Sequence, residues 1–426
     1  MIKTITFMMA CCIVCVASTL SVKAAENENM LMEQVLELKK LVEMQQKQLD
    51  LQSREINALK QQINQKVETV AVKPEKQEAG PVSKMATSSL QKVKLSLYGH
   101  VNRAALFADN GNDSSWYFVD NINSQTRLGL RAAVEKFNNW SIGGRIEYGI
   151  VSNASSDVNQ INDTDATSSN FKLRWAEVSF KNDTFGKISL GKGDSASNNS
   201  AEVDLSGTTV ASYSSVSDMA GAMLWYNDTT ATLTSLRIKD VFDNFDGLSR
   251  TDRLRYDTPS FAGFSLALSA SSGDAYDTAI SYSRQFGETK IAAAIAAADP
   301  GSDTIDAIYS GSASVLLPMG FNATVAAAMQ DLDNSSNDDP VNWWVKLGYK
   351  TQLYGDSTTA FSVDYGETTD LNADGDTART WAATAVHNVA DWGTELYITY
   401  RLYQLDRTAA DYDDINTVMT GARVKF

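Results

Sequence analysis

From residue 93 to the C-terminus at 426, apolar and polar side chains alternate in short segments, and this pattern limits the fold more than any other feature of the chain. A period of two places successive side chains on opposite faces of a β-strand. The last segment, "VMTGARVKF", shows it. Val418, Thr420, Ala422, Val424 and Phe426 form one set, and Met419, Gly421, Arg423 and Lys425 the other. Sixteen such segments can be counted, from "KLSLYGHVNRAALF", "TRLGLRAAVEK" and "WSIGGRIEYGI" to "TELYITYRLYQL" and "NTVMTGARVKF", if residues 194–249 are one long loop.

The connections are of two kinds. Some are tight, such as "KFNN", "NDTFG", "PSFAG" and "DWG"; others are long and acidic, such as "FADNGNDSSWYFVDNINSQ", "DLDNSSNDDP" and "GETTDLNADGD". An even number of strands, with short turns on one rim and long polar loops on the other, is the pattern of an outer-membrane β-barrel. In lipid every backbone group must be paired within the sheet, so the sheet must close. The alternation sends Phe426 and Val424 towards lipid and Arg423 and Lys425 towards the lumen. Tyr98, Trp140, Trp175, Trp343, Trp344, Trp392 and Tyr397 fall near strand ends, as interfacial girdles would. A secreted β-sandwich would also alternate, but it needs neither two kinds of rim nor an even strand count. The fold expected is therefore an all-β transmembrane barrel of 16 antiparallel strands over 93–426.

Three segments precede it. Lys3, an apolar core over residues 5–20 and "VKA" before Ala25 read as an export signal spanning 1–24. All three cysteines, Cys11, Cys12 and Cys15, lie inside it, so the exported chain would carry no disulfide. A lipoprotein signal is the competing and weaker reading. Over 27–67, Val35, Val42, Leu49, Ile56 and Ile63 repeat at seven-residue spacing, with Leu31, Leu38, Gln45, Gln52 and Leu59 on the second seam. That is a short coiled coil with a polar middle, which favours self-association over a lone surface helix. Residues 68–92 have no apolar period and read as a flexible linker.

The net charge is -15, from 37 basic and 52 acidic residues, which argues against nucleic acid as a partner. The only histidines, His100 and His387, sit in no recognisable catalytic motif, so an enzyme is disfavoured. "DLNADGD" matches the start of a calcium loop through Asp370, Asn372, Asp374 and Asp376, but Trp381 stands where a bidentate Glu is expected. An ordinary acidic turn is the favoured reading. No other cofactor is expected.

Several stretches resemble the trimeric general porins of Gram-negative bacteria: "LSLYGHVNRA", "TRLGLRAAVE", "RWAEVSFKNDTFGKISLGKGDS" and "DRLRYDTPSFAGFSLALS", in that order, with the terminal Phe426. The coiled coil before the barrel is similar to the porin subgroup with a periplasmic N-terminal extension, such as the DcaP-like channels. The resemblance implies a homotrimer, an inward-folded third loop, passive diffusion of small hydrophilic solutes, and Phe426 as a signal to the barrel-insertion machinery. It implies an outer membrane location with lipid and lipopolysaccharide around the barrel, the coiled coil in the periplasm, and a periplasmic or cell-wall partner as one use of that coil. Carried over by motif, Arg127, Arg131 and Arg174 form a basic wall facing Asp194, Glu202, Asp204 and Asp218 of the third loop, with Arg423 and Lys425 as further lumen residues. A channel selective for small anions such as organic acids or phosphate, and a structural tether whose barrel is only an anchor, are the alternatives. Two points stand out against the enteric pattern. The loop tip "MAGAMLWYN" is apolar for a lumen lining, and parity points Arg103 outward, where an acidic partner at a subunit interface would be needed.

Overall fold

The computed structural model describes residues 39, 40, 47, 86, 87 and 93–426, except 135–138, 168, 335 and 409. The chain divides into two units, residues 1–78 and 79–426. In the first, Lys39, Lys40 and Lys47 are helical and exposed. The expected signal, the rest of the coiled coil and all of the linker but Ala86 and Thr87 lie outside the described residues.

The second unit is built from β1 (Val93–Asp109), β2 (Ser114–Asp120), β3 (Arg127–Val134), β4 (Trp140–Ile150), β5 (Phe171–Asn182), β6 (Gly186–Asp194), β7 (Leu224–Asn227), β8 (Thr232–Arg237), β9 (Arg250–Asp257) and β10 (Phe264–Ser271). It continues through β11 (Ala275–Phe286), β12 (Thr289–Asp299), β13 (Ile305–Leu316), β14 (Phe321–Leu332), β15 (Val341–Tyr354), β16 (Ser357–Thr369), β17 (Thr377–Val389), β18 (Thr394–Asp406) and β19 (Ile415–Lys425). One sheet holds eighteen strands, all pairing antiparallel. The two-residue strand Ala86–Thr87 only adds to the edge of β1, and β2 and β3 lie end to end beside β1, so the sheet is a 16-strand barrel. β1 closes it: His100 to Asp109 pair with Lys425 to Asn416 of β19. All sixteen expected segments lie in these strands. Two elements were not legible. β2 occupies part of what reads as the first long loop, and the hairpin of β7 and β8 lies within residues 194–249.

Alternation fixes the two faces. Leu128, Leu130, Ile142, Ile146, Leu347 and Val363 point outward and are exposed. A wall of exposed apolar residues of this extent is unstable in water and matches a barrel in hydrocarbon. The aromatic pattern needs a correction. Trp140, Trp343 and Trp392 are exposed, as a girdle requires. Tyr98 instead bonds to Glu147 inside the wall, Trp175 stacks with Arg145, Trp344 donates to Asp364, and Tyr397 donates to Asn102. Strand parity, not nearness to an end, decides which way a ring points.

The interior is occupied by residues 195–249. Ser310, Ser312 and Ser314, two apart on β13, face inward and zip the loop down: Ser200 bonds to Ser310, and the backbone N–H groups of Val203 and Leu205 donate to Ser312 and Ser314. Further along, Ser212 bonds to Asp364 and Tyr403 donates to the Val216 carbonyl. The apolar tip is then explained. Met219, Met223, Trp225, Ile238 and Phe242 are buried with Leu106, Tyr403, Ile415 and Met419 of the barrel wall in one cluster. Each such side chain contributes about 1.5–3 kcal/mol by leaving water. The loop is therefore packed against the β18, β19, β1 side as a core, and it fills that side of the bore.

Candidate functional site

The loop leaves a polar cavity of about 760 Å³ beside this packed core. Its barrel wall is basic: Arg127 from β3, Arg174 from β5, Arg250 from β9 and Arg423 from β19. Its loop side is acidic: Glu202, Asp218, Asp243 and Asp246, with Asn198, Asn199 and Asn244 between them.

Each arginine is held from behind. Glu147, wholly buried, accepts from Arg174 Nε at 2.8 Å, Arg145 Nη2 at 2.6 Å and the Tyr98 hydroxyl at 2.8 Å, and lies 4.0 Å from Arg127. Arg250 pairs with Asp194 at 2.9 Å, and Arg423 pairs with Glu395. Of their other donors, Arg127 Nε bonds to the Gln125 carbonyl, Arg174 Nη1 to Gln125 Oε1 and Arg423 Nη1 to Ser124 Oγ, which fixes each guanidinium at the cavity edge. The aim of Arg174 depends on a bulge. Glu147 pairs with Trp175 and Tyr148 with Leu173, so Arg174 is the extra residue between them. Parity alone would turn it away from Trp175; the bulge re-aims it inward. Gly129, between Arg127 and Arg131, makes room for the Tyr98 ring, since a Cβ there would lie 2.3 Å from it.

The loop carboxyls lack such counter-ions. Glu202 accepts from Asn244, Asp218 from Tyr213, Asp243 from the Phe245 N–H, and Asp246 from the N–H groups of Asn199 and Ala201. Burial, then repulsion by Asp246, pushes Glu202 up to about 8; burial, with a smaller push from Asp194, raises Asp246 to about 7 against the N–H bonds it accepts. Burial likewise raises Asp218 to about 6, against the lowering effect of its Tyr213 bond.

A closed barrel with an inward loop and a polar cavity facing a basic wall is the geometry of a channel. The description of a Gram-negative porin matches residues 78–408. The chain belongs to the Gram-negative porin family. Among solved structures, this porin is similar to an anion-selective porin from Comamonas acidovorans, at 16% identity and a TM-score of 0.53 over 79% of this chain and 100% of that one. It is also similar to OmpT of Vibrio cholerae, at 12% identity and 0.52 over 80% and 100%. The outer membrane channel DcaP of Acinetobacter baumannii is matched at 14% identity and 0.50 over 79% and 99%. No curated protein matches the chain.

The structure brings Arg127, Arg174, Glu202, Asp218 and Arg423 together around the cavity. Three other expectations need correction. Asp204 borders the cavity, but its side chain is 2% exposed and turned to Lys346 Nζ at 2.8 Å, so it anchors the loop rather than charging the lumen. Asp194 is consumed by Arg250 beside it. Arg131 faces inward but stacks on Tyr98, 4.2 Å from the ring, outside the cavity. Lys425, expected only as a lumen residue, pairs at 2.6 Å with Glu395, which also pairs with Arg423, and lies outside the cavity. Arg250, Asp243 and Asp246 were missed: nothing local distinguishes them, and only the path of the loop places them. The outward Arg103 is resolved within its own chain, because Asp120 of β2 lies 2.8 Å away.

In the calcium-like turn, Asp376 and Asn372 both accept from Arg407, whose guanidinium stands where a cation would. Among the described residues no cluster of three or more metal-ligating side chains is present. Phe426 closes the ladder by exchanging backbone bonds with Gly99 at 3.0 Å. His100 contacts the Gln125 carbonyl at 2.9 Å and His387 contacts Thr359 at 2.8 Å.

Proposed function

We propose that this porin forms a water-filled homotrimeric channel in which small hydrophilic solutes and ions diffuse passively, and that the cavity between the arginines and the third loop is its constriction. The observation that carries the reading is the separation of charge: all four cavity arginines belong to the barrel wall, and the cavity carboxylates belong to the loop. Such an arrangement sets a transverse field across the narrowest polar passage. The apolar packing of the loop tip supports a fixed constriction rather than a loose lid. The turn at residues 370–376 is read as held by Arg407 in place of calcium. Small-anion selectivity has one observation in its favour, the basic wall, but the unpaired loop carboxylates counter it.

The test is a planar bilayer recording on purified, heat-modifiable protein, with reversal potential taken in a salt gradient. Conductance steps that close in threes support the trimeric pore. Absence of conductance from folded protein contradicts the reading and leaves a plugged or purely structural barrel.

A further inference from the structure

We infer that the outer wall of the barrel holds an anionic phospholipid of the periplasmic leaflet, with its phosphate on Arg284 and an acyl chain in the trough above. Arg284 lies near the end of β11, just before the short turn at Gly287 and Glu288. Short turns mark the periplasmic rim of such a barrel. Ile280 and Phe286 share its parity on β11 and are exposed on the lipid side, so Arg284 points outward with them. Two other outward arginines are neutralised, Arg103 by Asp120 and Arg379 by Glu367. Among the described residues Arg284 has no carboxylate partner; its guanidinium lies 4.9 Å from the Phe286 ring centre. Beside it the Phe264 and Tyr282 rings stand 4.6 Å apart across β10 and β11, with Phe261 exposed next to them. A belt of rings sits at the level of lipid headgroups. A free guanidinium at that level offers a phosphate two parallel N–H donors.

The wall above Arg284 is recessed. Arg284 pairs with Ile291 of β12, and the next outward pairs are small: Ala293 with Ala313, and Ile295 with Gly311, which has Ala327 on its other side. Between Tyr309 and Val325 these positions leave an apolar trough of about 660 Å³ on the outer face. It begins two residues beyond Ile291, about 7 Å along the strand. In lipid, close van der Waals fit decides what packs on such a surface, and small residues permit it. Head site and trough stand in the order in which a lipid of this leaflet presents its parts, phosphate at the rim and chain towards the membrane middle. An anionic head is favoured over a zwitterionic one, because the latter brings an ammonium beside the unpaired guanidinium.

The experiment is native mass spectrometry of the full-length protein, delipidated in detergent and titrated with phosphatidylglycerol or with phosphatidylethanolamine of the same acyl chains. Heat-modifiability checks that each variant is folded. The wild type is expected to bind phosphatidylglycerol several-fold more tightly than phosphatidylethanolamine. In Arg284→Gln that ratio should fall towards 1. Ala313→Phe fills the trough but leaves the guanidinium, and should weaken phosphatidylglycerol binding several-fold. A wild type without preference overturns the inference, and so does a preference that Arg284→Gln leaves intact. Loss in Arg284→Gln with no change in Ala313→Phe overturns the acyl seat in the trough. If Arg284→Gln instead splits an oligomer into monomers, a second copy of the chain covers this face and the lipid site is overturned.

Discussion

Arg174 is the extra residue of a β-bulge, and its Nε lies 2.8 Å from Oε1 of the wholly buried Glu147. One carboxylate thus fixes the direction of a guanidinium that backbone parity would send elsewhere, while also serving Arg145 and Tyr98.

Replacing Glu147 should therefore do two things. Glu147→Gln keeps an acceptor but leaves buried guanidinium charge uncompensated, which costs about 3–5 kcal/mol when one partner of a buried pair is removed. The folded band in a heat-modifiability assay should disappear at a lower temperature. In the protein that folds, loss of a fixed negative charge behind the basic wall should move the reversal potential towards anions. An unchanged potential in folded variant would show that Glu147 does not govern the arginines electrically.

Lys346 and Asp204 form another buried pair, with side chains 0% and 2% exposed, and join loop to wall across 142 residues of sequence. Asp204→Asn leaves the lysine without its counter-ion, at a similar cost of about 3–5 kcal/mol. The loop should loosen from β15. Limited proteolysis should then cut within residues 195–249, and open-channel current noise should rise. A variant as resistant and as quiet as the wild type would deny Lys346 its anchoring role.

Acidity should change selectivity through the loop. Glu202, Asp246 and Asp218 are raised to about 8, about 7 and about 6. They face Arg127, Arg174, Arg250 and Arg423, with Asp194, Tyr213 and Asp243 nearby. Lowering pH from 9 to 5 removes loop charge while the arginines keep theirs, so the reversal potential should shift steadily towards anions. The sign for stability follows from the raised values. The folded state holds protons that the unfolded chain releases near pH 4, so these groups cost nothing below that and destabilise increasingly as pH rises towards 8. A selectivity that is flat from pH 9 to 5 would contradict the placement of these carboxyls on the ion path.

At the barrel seam, Gly99 seats the last residue. A Cβ at 99 would fall 2.9 Å from the Phe426 ring and 2.4 Å from the Arg127 carbonyl. Gly99→Val should therefore lower the yield of heat-modifiable barrel sharply, measured by the folded fraction in membranes. A yield equal to that of the wild type would show that the seam tolerates a side chain at 99.

The strands were legible because a two-faced strand writes its period directly into the sequence. Leu128 and Leu130 against Arg127 and Arg131 is enough to orient β3. The site was legible only where parity held. Arg127 and Arg423 follow it, but Arg174 depends on a bulge whose signature is an interruption of pairing, invisible along one strand. Asp204 looked like its acidic neighbours because its partner Lys346 is far away in sequence. Arg250, Asp243 and Asp246 reach the cavity through the path of a loop whose course is set by Ser310, Ser312 and Ser314 on a distant strand. The apolar "MAGAMLWYN" is unlike a lumen lining because it is where the loop packs as core.

The central claim is that solutes pass between the arginine wall and the third loop, and a thiol placed there tests it most directly. The sequence has cysteine only at positions 11, 12 and 15, and Thr209 is an exposed loop residue lining the cavity. Thr209→Cys, modified in the bilayer by a cationic methanethiosulfonate reagent, should lose at least about half of its step conductance and recover it on reduction, as expected for a bulky charge in a narrow polar passage. Complete modification, confirmed by mass, with the conductance unchanged would mean that the current runs elsewhere.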